Sequence, residues 1–282
     1  MRRRTFLMLQ LVPLVCLAFA PMQRPAAPKA ETPEGVADKG FEAMKAGRYD
    51  DFAKTMHRSA LKTFKAGMIE LAEMAEADGN PDEFLTLFDG VKDVPALKAL
   101  DDAKVFAAFL RGVEKRDPTL KKTIAGADRE VLGHINEGDD LAHVVYRLKL
   151  KVDGKDVSSM QVDTLRRDGR GWGLELRSEL QAMTADMRRA FEARKQGKDP
   201  LDAVGDLAKG AGEPKITVLG SVAEGQGVAH VVYRGSRTIG KTTASKLNVL
   251  TLKSGEPGWD LLQKGDKAGL AKFLKENPPL NP

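Results

Sequence analysis

The sequence has few of the residues that build redox, metal and disulfide chemistry. Its 282 residues include a single cysteine, Cys16, and only four histidines. One cysteine excludes an internal disulfide and any zinc or iron–sulfur site that needs several thiolates. No two histidines have the short spacing of a zinc-binding pair. We therefore expect no metal site and no cofactor.

Acidic residues are absent from the N-terminus, and the excess of positive charge is confined there. The first 30 residues hold five of the 45 basic residues and none of the 40 acidic ones. The rest of the chain, 31–282, is therefore formally neutral. Its lysines and arginines are also spread along the chain and interleaved with acids rather than gathered into a nucleic-acid-binding stripe, so we expect no nucleic-acid partner.

Residues 1–20 are typical of a secretory signal peptide. A basic start is followed by an apolar run that ends in the small-residue site Ala18-Phe19-Ala20. The run is too short to be a good membrane span. We predict a periplasmic or secreted protein that meets the membrane only through this leader. Arg3-Arg4 followed by Phe6-Leu7 also fits a twin-arginine leader, so both this route and the Sec route stay open.

An internal repeat organises the rest of the sequence. Residues 131–147 (VLGHINEGDDLAHVVYR) and 218–234 (VLGSVAEGQGVAHVVYR) share 11 of 17 positions at an offset of 87. The same offset relates Trp172 to Trp259. In each copy, strand-like segments are separated by glycine-containing turns. We therefore predict one four-stranded antiparallel meander that occurs twice.

The predicted elements run from helices to strands. Residues 34–127 have the three- and four-residue apolar spacing of amphipathic helices. Further helices are predicted over 179–208, with a break at 197–200, and over 267–276. The predicted strands of the first copy cover 129–136, 141–152, 157–167 and 171–177.

This order of elements, with a turn at 46–52 (AGRYDDF) and Gly-Trp strands at 171–172 and 258–259, resembles the NTF2-like superfamily of SnoaL-like and cystatin-like cone domains. The resemblance implies an α+β fold in which N-terminal helices pack on a curved antiparallel four-stranded sheet and enclose a conical pocket. The superfamily includes enzymes and exported binding domains, so it indicates a fold rather than a function.

The resemblance and the repeat together predict four regions. They are a signal peptide over 1–20, a Pro/Ala-rich linker over 21–33, an NTF2-like domain over 34–180 and a second, truncated copy over 181–282. The linker is too rich in proline and alanine to build a core. The second copy is helix-poor and is predicted to repeat mainly the four-stranded sheet.

Repeat-paired aromatic residues are the candidate pocket wall. Tyr146 and Tyr233 occupy equivalent positions on apolar strand faces, and Trp172 and Trp259 occupy equivalent positions in the last strands. Amphipathic aromatic rings suit the wall of a ligand pocket. Packing in a core explains the same pattern, so both interpretations stay open.

A histidine and an arginine are also repeated, on the opposite strand face. His143 and Arg147 correspond to His230 and Arg234. Because alternate residues of a strand point to opposite faces, all four are predicted to point away from the apolar face. Three interpretations stay open: an exposed polar face, a contact surface where the two sheets pack back to back, and catalysis.

Two further motifs bear on enzyme and nucleotide chemistry. Residues 235–242 (GSRTIGKT) match the phosphate-binding loop, but a strand-like segment follows where that loop needs a helix. We therefore expect no nucleotide partner. Asp163 is the obvious strand acid for a general base, although its facing is ambiguous and Leu250 is its repeat equivalent.

Three hypotheses for function follow. The first is a non-enzymatic exported binding or accessory protein, which takes a small apolar ligand or an envelope protein partner in a pocket lined by Tyr146. The second is an isomerase- or hydratase-like enzyme, which needs a buried carboxylate bonded to a histidine or tyrosine in that pocket. The third is a structural module that uses a sheet–sheet interface, with His143 and His230 near each other across it.

Overall fold

Helices come first along the chain and strands follow. The computed structural model describes residues 31–152, 154–197, 215–239, 242–255 and 258–261. The helices in these ranges are α1 (Pro33–Lys45), α2 (Tyr49–Thr55), α3 (Arg58–Ala77), α4 (Pro81–Leu85), α5 (Val94–Ala99), α6 (Asp102–Arg116), α7 (Pro118–Ala125) and α8 (Ser178–Lys195). The strands are β1 (Asp128–Glu137), β2 (Leu141–Val152), β3 (Lys155–Asp168), β4 (Gly171–Leu174), β5 (Lys215–Gly225), β6 (Val228–Ile239), β7 (Thr242–Gly255) and β8 (Gly258–Leu261).

The strands form two antiparallel sheets. Sheet one has the order β1-β2-β3-β4 and sheet two has the order β5-β6-β7-β8. The α+β class with antiparallel sheets, predicted from the sequence, is confirmed. Each strand of sheet two starts 87 residues after its counterpart in sheet one. The residue pairs between strands differ by the same 87 residues: Val144 lies opposite Asp163 in sheet one, and Val231 lies opposite Leu250 in sheet two.

Capping residues set the helix boundaries. The hydroxyl of Thr32 accepts a hydrogen bond from the backbone N–H of Gly35 at 3.2 Å, directly before α1. The carboxylate of Asp101 accepts from the N–H of Lys104 at 2.8 Å and caps α6. Such caps satisfy N–H groups that have no partner inside the helix. Between α1 and α2, Gly47 adopts a φ of 67°, a conformation that favours glycine and allows the tight predicted turn.

One face of sheet one packs against the helices and forms the main core. Ala142, Val144 and Tyr146 on β2 are buried on this face, as the alternation predicts. The helices contribute large side chains such as Phe64, and Phe106 meets its ring edge-on with centroids 5.0 Å apart. The helices therefore form a layer over sheet one.

The other face of sheet one packs against sheet two. Ile135 and Val145 from sheet one and Val232 from sheet two are buried together there. The two first strands approach closely, because a Cβ on Gly220 would lie 2.8 Å from a methyl group of Ile135. Described in layers, the molecule has helices, then sheet one, then sheet two.

Several predictions fall outside the described residues. These are the signal peptide over 1–20, the linker up to residue 30, the second half of the 179–208 helix and the helix over 267–276. Within the described ranges, no helix combines the length and the apolarity that a membrane crossing needs.

Candidate functional site

The repeated histidines lie between the two sheets. His143 is 0% exposed and His230 is 1% exposed. The interpretation of this face as exposed is therefore wrong for both histidines, because each sheet covers the polar face of the other. Burial of an imidazole requires partners for both ring nitrogens.

Each histidine finds those partners within its own sheet. The Nε2 of His143 lies 2.8 Å from a carboxylate oxygen of Glu137, and its Nδ1 lies 3.1 Å from the hydroxyl of Thr164. The same two contacts join His230 to Glu224 at 2.7 Å and to Thr251 at 3.0 Å. A neutral imidazole satisfies all of them by donating from Nε2 to the carboxylate and accepting at Nδ1 from the hydroxyl.

The arginines cross from one sheet to the other. Arg234 of sheet two donates to both carboxylate oxygens of Glu137 in sheet one, at 2.9 and 2.5 Å. Arg147 of sheet one donates to Glu224 of sheet two. Each glutamate therefore joins a histidine of its own sheet to an arginine of the other sheet. We call these six residues the crossed network.

The crossed network holds its glutamates ionised. Hydrogen bonds from Arg234, and then from His143, lower the pKa of Glu137 from 4.5 to about 2 against the opposing effect of burial. The bond from Arg147 likewise lowers the pKa of Glu224. Burial lowers the pKa of His143 and favours its neutral form. The network thus contains two charge pairs, each bonded to a histidine of its own sheet.

Tyr146 is buried, in agreement with packing in a core, which is one of the two interpretations that the sequence leaves open. It is 1% exposed, and its hydroxyl donates to Asp163 at 3.3 Å. Arg177 donates to the same tyrosine oxygen, and the guanidinium of Arg129 lies 3.8 Å from the ring centre. These residues form a buried polar cluster around the tyrosine. Burial, and then the charge of Asp163, raise the pKa of Tyr146 to about 12.

Asp163 lies at the centre of this cluster and faces the helices. Arg129 donates to one of its oxygens at 3.0 Å and Arg177 to the other at 2.7 Å. Arg129 also donates to the backbone carbonyl of Ala37 in α1 at 3.3 Å. Asp38 lies 3.4 Å from Arg129 as well, so that two carboxylates balance two guanidinium groups in a structural ion-pair cluster.

An open cavity of about 730 Å³ lies between the two sheets and the start of α8. We call it the inter-sheet groove. Its apolar walls come from Met160 and Val162 on β3 and from Leu247 and Val249 on β7. Three of the residues that the sequence nominates also line it, namely His143, Tyr233 and Arg234.

The charged side chains of the inter-sheet groove are already paired. Arg166 donates to Glu175 at 2.7 Å, and the ammonium of Lys246 lies 2.9 Å from Glu179. Amide and hydroxyl groups, such as that of Ser245, line the remaining surface. Paired charges beside apolar walls suit a small amphipathic molecule without a strong net charge.

Trp172 lines a separate cleft of about 750 Å³ on the helix side of the molecule. His57 lies in its wall, where Nδ1 is 2.7 Å from the Ser59 hydroxyl and Nε2 is 3.4 Å from Asp168. Gly173 allows the backbone of His57 to approach, because a Cβ there would lie 2.8 Å from it. Trp172 and the inter-sheet residues therefore do not share one site. The structure describes Trp259 as a residue of β8 but does not describe its side chain.

Sequence reasoning missed the glutamates of the crossed network. Glu137 and Glu224 are identical residues of the repeat, and so are Thr164 and Thr251 at the same offset. The signal was present, but an acid beside a glycine turn is also typical of turn composition. It also missed His57, which has no repeat partner to single it out.

The segment that matches a phosphate-binding loop continues into a strand. Residues 235–239 belong to β6, and β7 begins at residue 242. The prediction of a strand after the motif is confirmed. The described residues also contain no group of three His, Cys, Asp or Glu side chains that could hold a metal ion.

Comparisons with known proteins return no match to a family model, to a curated protein or to a solved structure.

Proposed function

We propose that this chain is an exported, non-enzymatic binding protein whose ligand occupies the inter-sheet groove. The observation that carries the proposal is the groove itself, about 730 Å³ in volume, which contains three residues that repeat in the sequence. The crossed network supports it, because paired charges on both sheets hold the walls of the groove in place. Pre-organised walls reduce the entropy lost on binding.

The proposal includes the origin of the scaffold. We propose an NTF2-like first unit followed by a second copy of its sheet. The constant offset of 87 residues in strand starts and the matching bulges after Val131 and Val218 support a duplication. Helices packed on one face of sheet one support the NTF2-like comparison. Export through the N-terminal leader, to the periplasm or the medium, belongs to the same proposal.

A small amphipathic molecule fits the groove better than a purely apolar one. Apolar walls from Met160 and Leu247 stand beside the Arg166–Glu175 and Lys246–Glu179 pairs. An apolar ligand would displace the water around those pairs without replacing its hydrogen bonds, which costs free energy. An envelope protein partner that inserts a side chain into the groove satisfies the same chemistry.

Native mass spectrometry of protein recovered from the periplasm tests the proposal. We expect a bound small molecule, or a stoichiometric protein partner, and a mature chain that lacks the leader. Ser245→Trp places an indole in the groove and should remove the bound species. Ser158→Trp is the matched control, since Ser158 is the exposed repeat equivalent outside the groove. An unloaded protein, or equal loading of both variants, would contradict the proposal.

The enzyme alternative has one observation in its favour. A buried carboxylate, Asp163, accepts a hydrogen bond from Tyr146. However, Arg129 and Arg177 bond the same carboxylate, so both of its oxygens are occupied by donors from the protein and neither is free to meet a substrate proton. Tyr146→Phe tests this alternative: loss of a measured isomerase or hydratase activity with unchanged folding would favour it.

The structural-module alternative rests on the crossed network. In that case the sheet–sheet contact is itself the purpose of the repeat, and no ligand is required. The two proposals differ in the fate of Ser245→Trp. A structural module tolerates it without loss of any bound species, whereas the binding proposal does not.

A further inference from the structure

A second cavity, separate from the inter-sheet groove, lies in the helical layer. It is an open cavity of about 260 Å³, lined by α4, the end of α6 and the last turns of α8. We call it the α8 pocket. Its volume lies just below the range of drug-sized ligand sites, which starts at about 300 Å³, so it suits a small molecule.

The pocket lies beside the contact between α8 and α3. Gly67 of α3 lacks a side chain where Thr184 approaches, since a Cβ there would lie 2.9 Å from its methyl group. One turn later, Arg188 donates to Glu70 at 2.5 Å. The following turns, which carry Phe191, line the cavity.

The walls of the α8 pocket carry apolar side chains on both sides, and Asn80 and the exposed Glu83 also line it on the α4 side. Phe84 is buried and Leu87 is half-buried on the α4 side, and Met187 and Phe191 are half-buried on the α8 side. All four belong to, or pack against, the main core. Burial of an aliphatic tail among them is favourable because it removes apolar surface from water.

Two arginines stand at the same cavity. Arg116 donates to the Thr86 hydroxyl and to the Glu83 carbonyl, while the guanidinium of Arg194 lies 6.0 Å from the ring centre of Phe191. Within the described ranges, neither guanidinium forms an ion pair with a carboxylate. Neutral groups therefore position both cations and leave their charge available.

Helix dipoles explain part of this arrangement. Arg116 and Arg194 lie in the last turns of α6 and α8, where the partial negative charge of a helix terminus favours cations. That effect accounts for basic residues at these positions. It does not account for an apolar cavity between them, and Lys195 satisfies the α8 terminus without lining the cavity.

We propose that the α8 pocket binds a small amphipathic monocarboxylate. The aliphatic tail lies among Phe84, Leu87, Met187 and Phe191, and the carboxylate accepts hydrogen bonds from Arg116 and Arg194. Guanidinium groups suit this role because they present planar donors to a carboxylate and stay charged. This site is independent of the ligand proposed for the inter-sheet groove.

Isothermal titration of the protein with octanoate tests the proposal, with octanol as the uncharged comparison of the same chain length. We expect one octanoate per chain, and we expect octanol to bind at least about tenfold more weakly, because it lacks the charge-assisted hydrogen bonds. The absence of saturable octanoate binding overturns the proposal. Equal affinity for octanol would show an apolar crevice without anion recognition and also overturns it.

Charge variants locate the site. Arg116→Gln and Arg194→Gln should each weaken octanoate binding about tenfold. Lys195→Gln is the matched control, since it removes the same charge from the same helix end and should change binding less than about twofold. If Lys195→Gln weakens binding as much as Arg194→Gln, the effect is general electrostatics and the proposal fails.

A bulky substitution separates this pocket from the groove. Ala190→Trp should abolish octanoate binding, because Ala190 lines the α8 pocket. Ser245→Trp in the inter-sheet groove should leave it unchanged. The opposite pattern would place octanoate in the groove and overturn the proposal. Circular dichroism of each variant checks that the fold is retained.

Discussion

Sheet one and sheet two are alike on the faces that meet and different on the faces that do not. On the inner faces, both sheets present a buried histidine bonded to a glutamate and a threonine. On the outer face, Arg129, Tyr146 and Asp163 of sheet one form a buried polar cluster. Their equivalents in sheet two are Ile216, Tyr233 and Leu250.

The difference separates the residues that the strand pairing requires from the residues that contact neighbouring elements. Both sheets keep the same register, although one outer face carries a buried ion pair and the other carries leucine and isoleucine. Arg129 reaches the backbone of α1, so the polar cluster belongs to the contact between sheet one and the helices. In sheet two, Ile216 is 38% exposed, which fits the absence of that contact among the described residues.

Of the substitutions that distinguish the two sheets, removal of Asp163 should lower the stability of the protein most. Asp163→Ala removes the buried carboxylate that lies 3.0 Å from the Arg129 guanidinium, whose side chain is 4% exposed, and leaves only Asp38 at 3.4 Å, which is 54% exposed and compensates the charge poorly. An uncompensated buried charge costs about 3–5 kcal/mol. We expect the free energy of unfolding, measured by urea denaturation, to fall by that amount.

A double variant that copies sheet two supplies the control. Arg129→Ile combined with Asp163→Leu replaces the buried pair with the residues at 216 and 250. Replacement of a buried pair by apolar residues of similar size is often neutral or stabilising. The double variant should therefore recover most of the lost stability. A double variant as unstable as Asp163→Ala would show that the cluster has a role beyond charge compensation.

The bulges in β1 and β5, the first strand of each sheet, should give the next largest difference in stability. A Cβ on Gly220 would lie 2.8 Å from a methyl group of Ile135, while one on Gly133 would lie 3.2 Å from a methyl group of Val222. Overpacking in a tight contact costs about 1–3 kcal/mol. We expect Gly220→Ala to lower the melting temperature more than Gly133→Ala. Equal effects would mean that backbone conformation, rather than the approach of the sheets, requires glycine.

The strand layout was predictable from the sequence because local signals define it. Alternation and turn residues placed the second strand over 141–152, which is where β2 lies. The repeat then located its counterpart in sheet two. Helices over 34–127 followed from apolar spacing, although their division into seven pieces depends on caps such as Asp101 that only the folded chain displays.

The environment of the site residues was not predictable in the same way. Strand alternation predicts that His143 and Tyr146 point to opposite faces of the sheet. It carries no information on whether water or another sheet covers the face of His143. Tyr146 is enclosed because Arg129 and Arg177, 17 and 31 residues away, converge on it. Such contacts depend on tertiary packing, and they do not recur at a fixed spacing along the sequence as strand and helix patterns do.

Acid should weaken the crossed network, and more through Glu137 than through Glu224. The pKa of Glu137 is lowered to about 2 on folding, so its contribution is complete above about 4.5 and is lost as pH falls toward 2. The full shift corresponds to about 3 kcal/mol. With its side chain 31% exposed, screening by water reduces this to about 1–2 kcal/mol.

Denaturation at a series of pH values measures this contribution. His143 acts in the same direction, because its lowered pKa means that the unfolded chain takes up the proton first as pH falls below 6.5. Glu137→Gln should flatten the dependence of unfolding free energy on pH below 4.5, and Glu224→Gln should flatten it less. A Glu137→Gln variant with the original pH dependence would contradict the assignment.

The smallest expected difference separates the two crossing arginines. Arg234 bonds both oxygens of Glu137, at 2.9 and 2.5 Å, whereas Arg147 divides its donors between Glu224 and Glu130. A bidentate pair is the stronger arrangement, so Arg234→Gln should cost about 1 kcal/mol and Arg147→Gln about half of that. Urea denaturation at low and high salt measures both, since an ion pair that is partly exposed weakens with screening. If the two substitutions cost the same, the crossed network is symmetric in energy as well as in sequence, and the difference in their bonding has no consequence for how the sheets hold together.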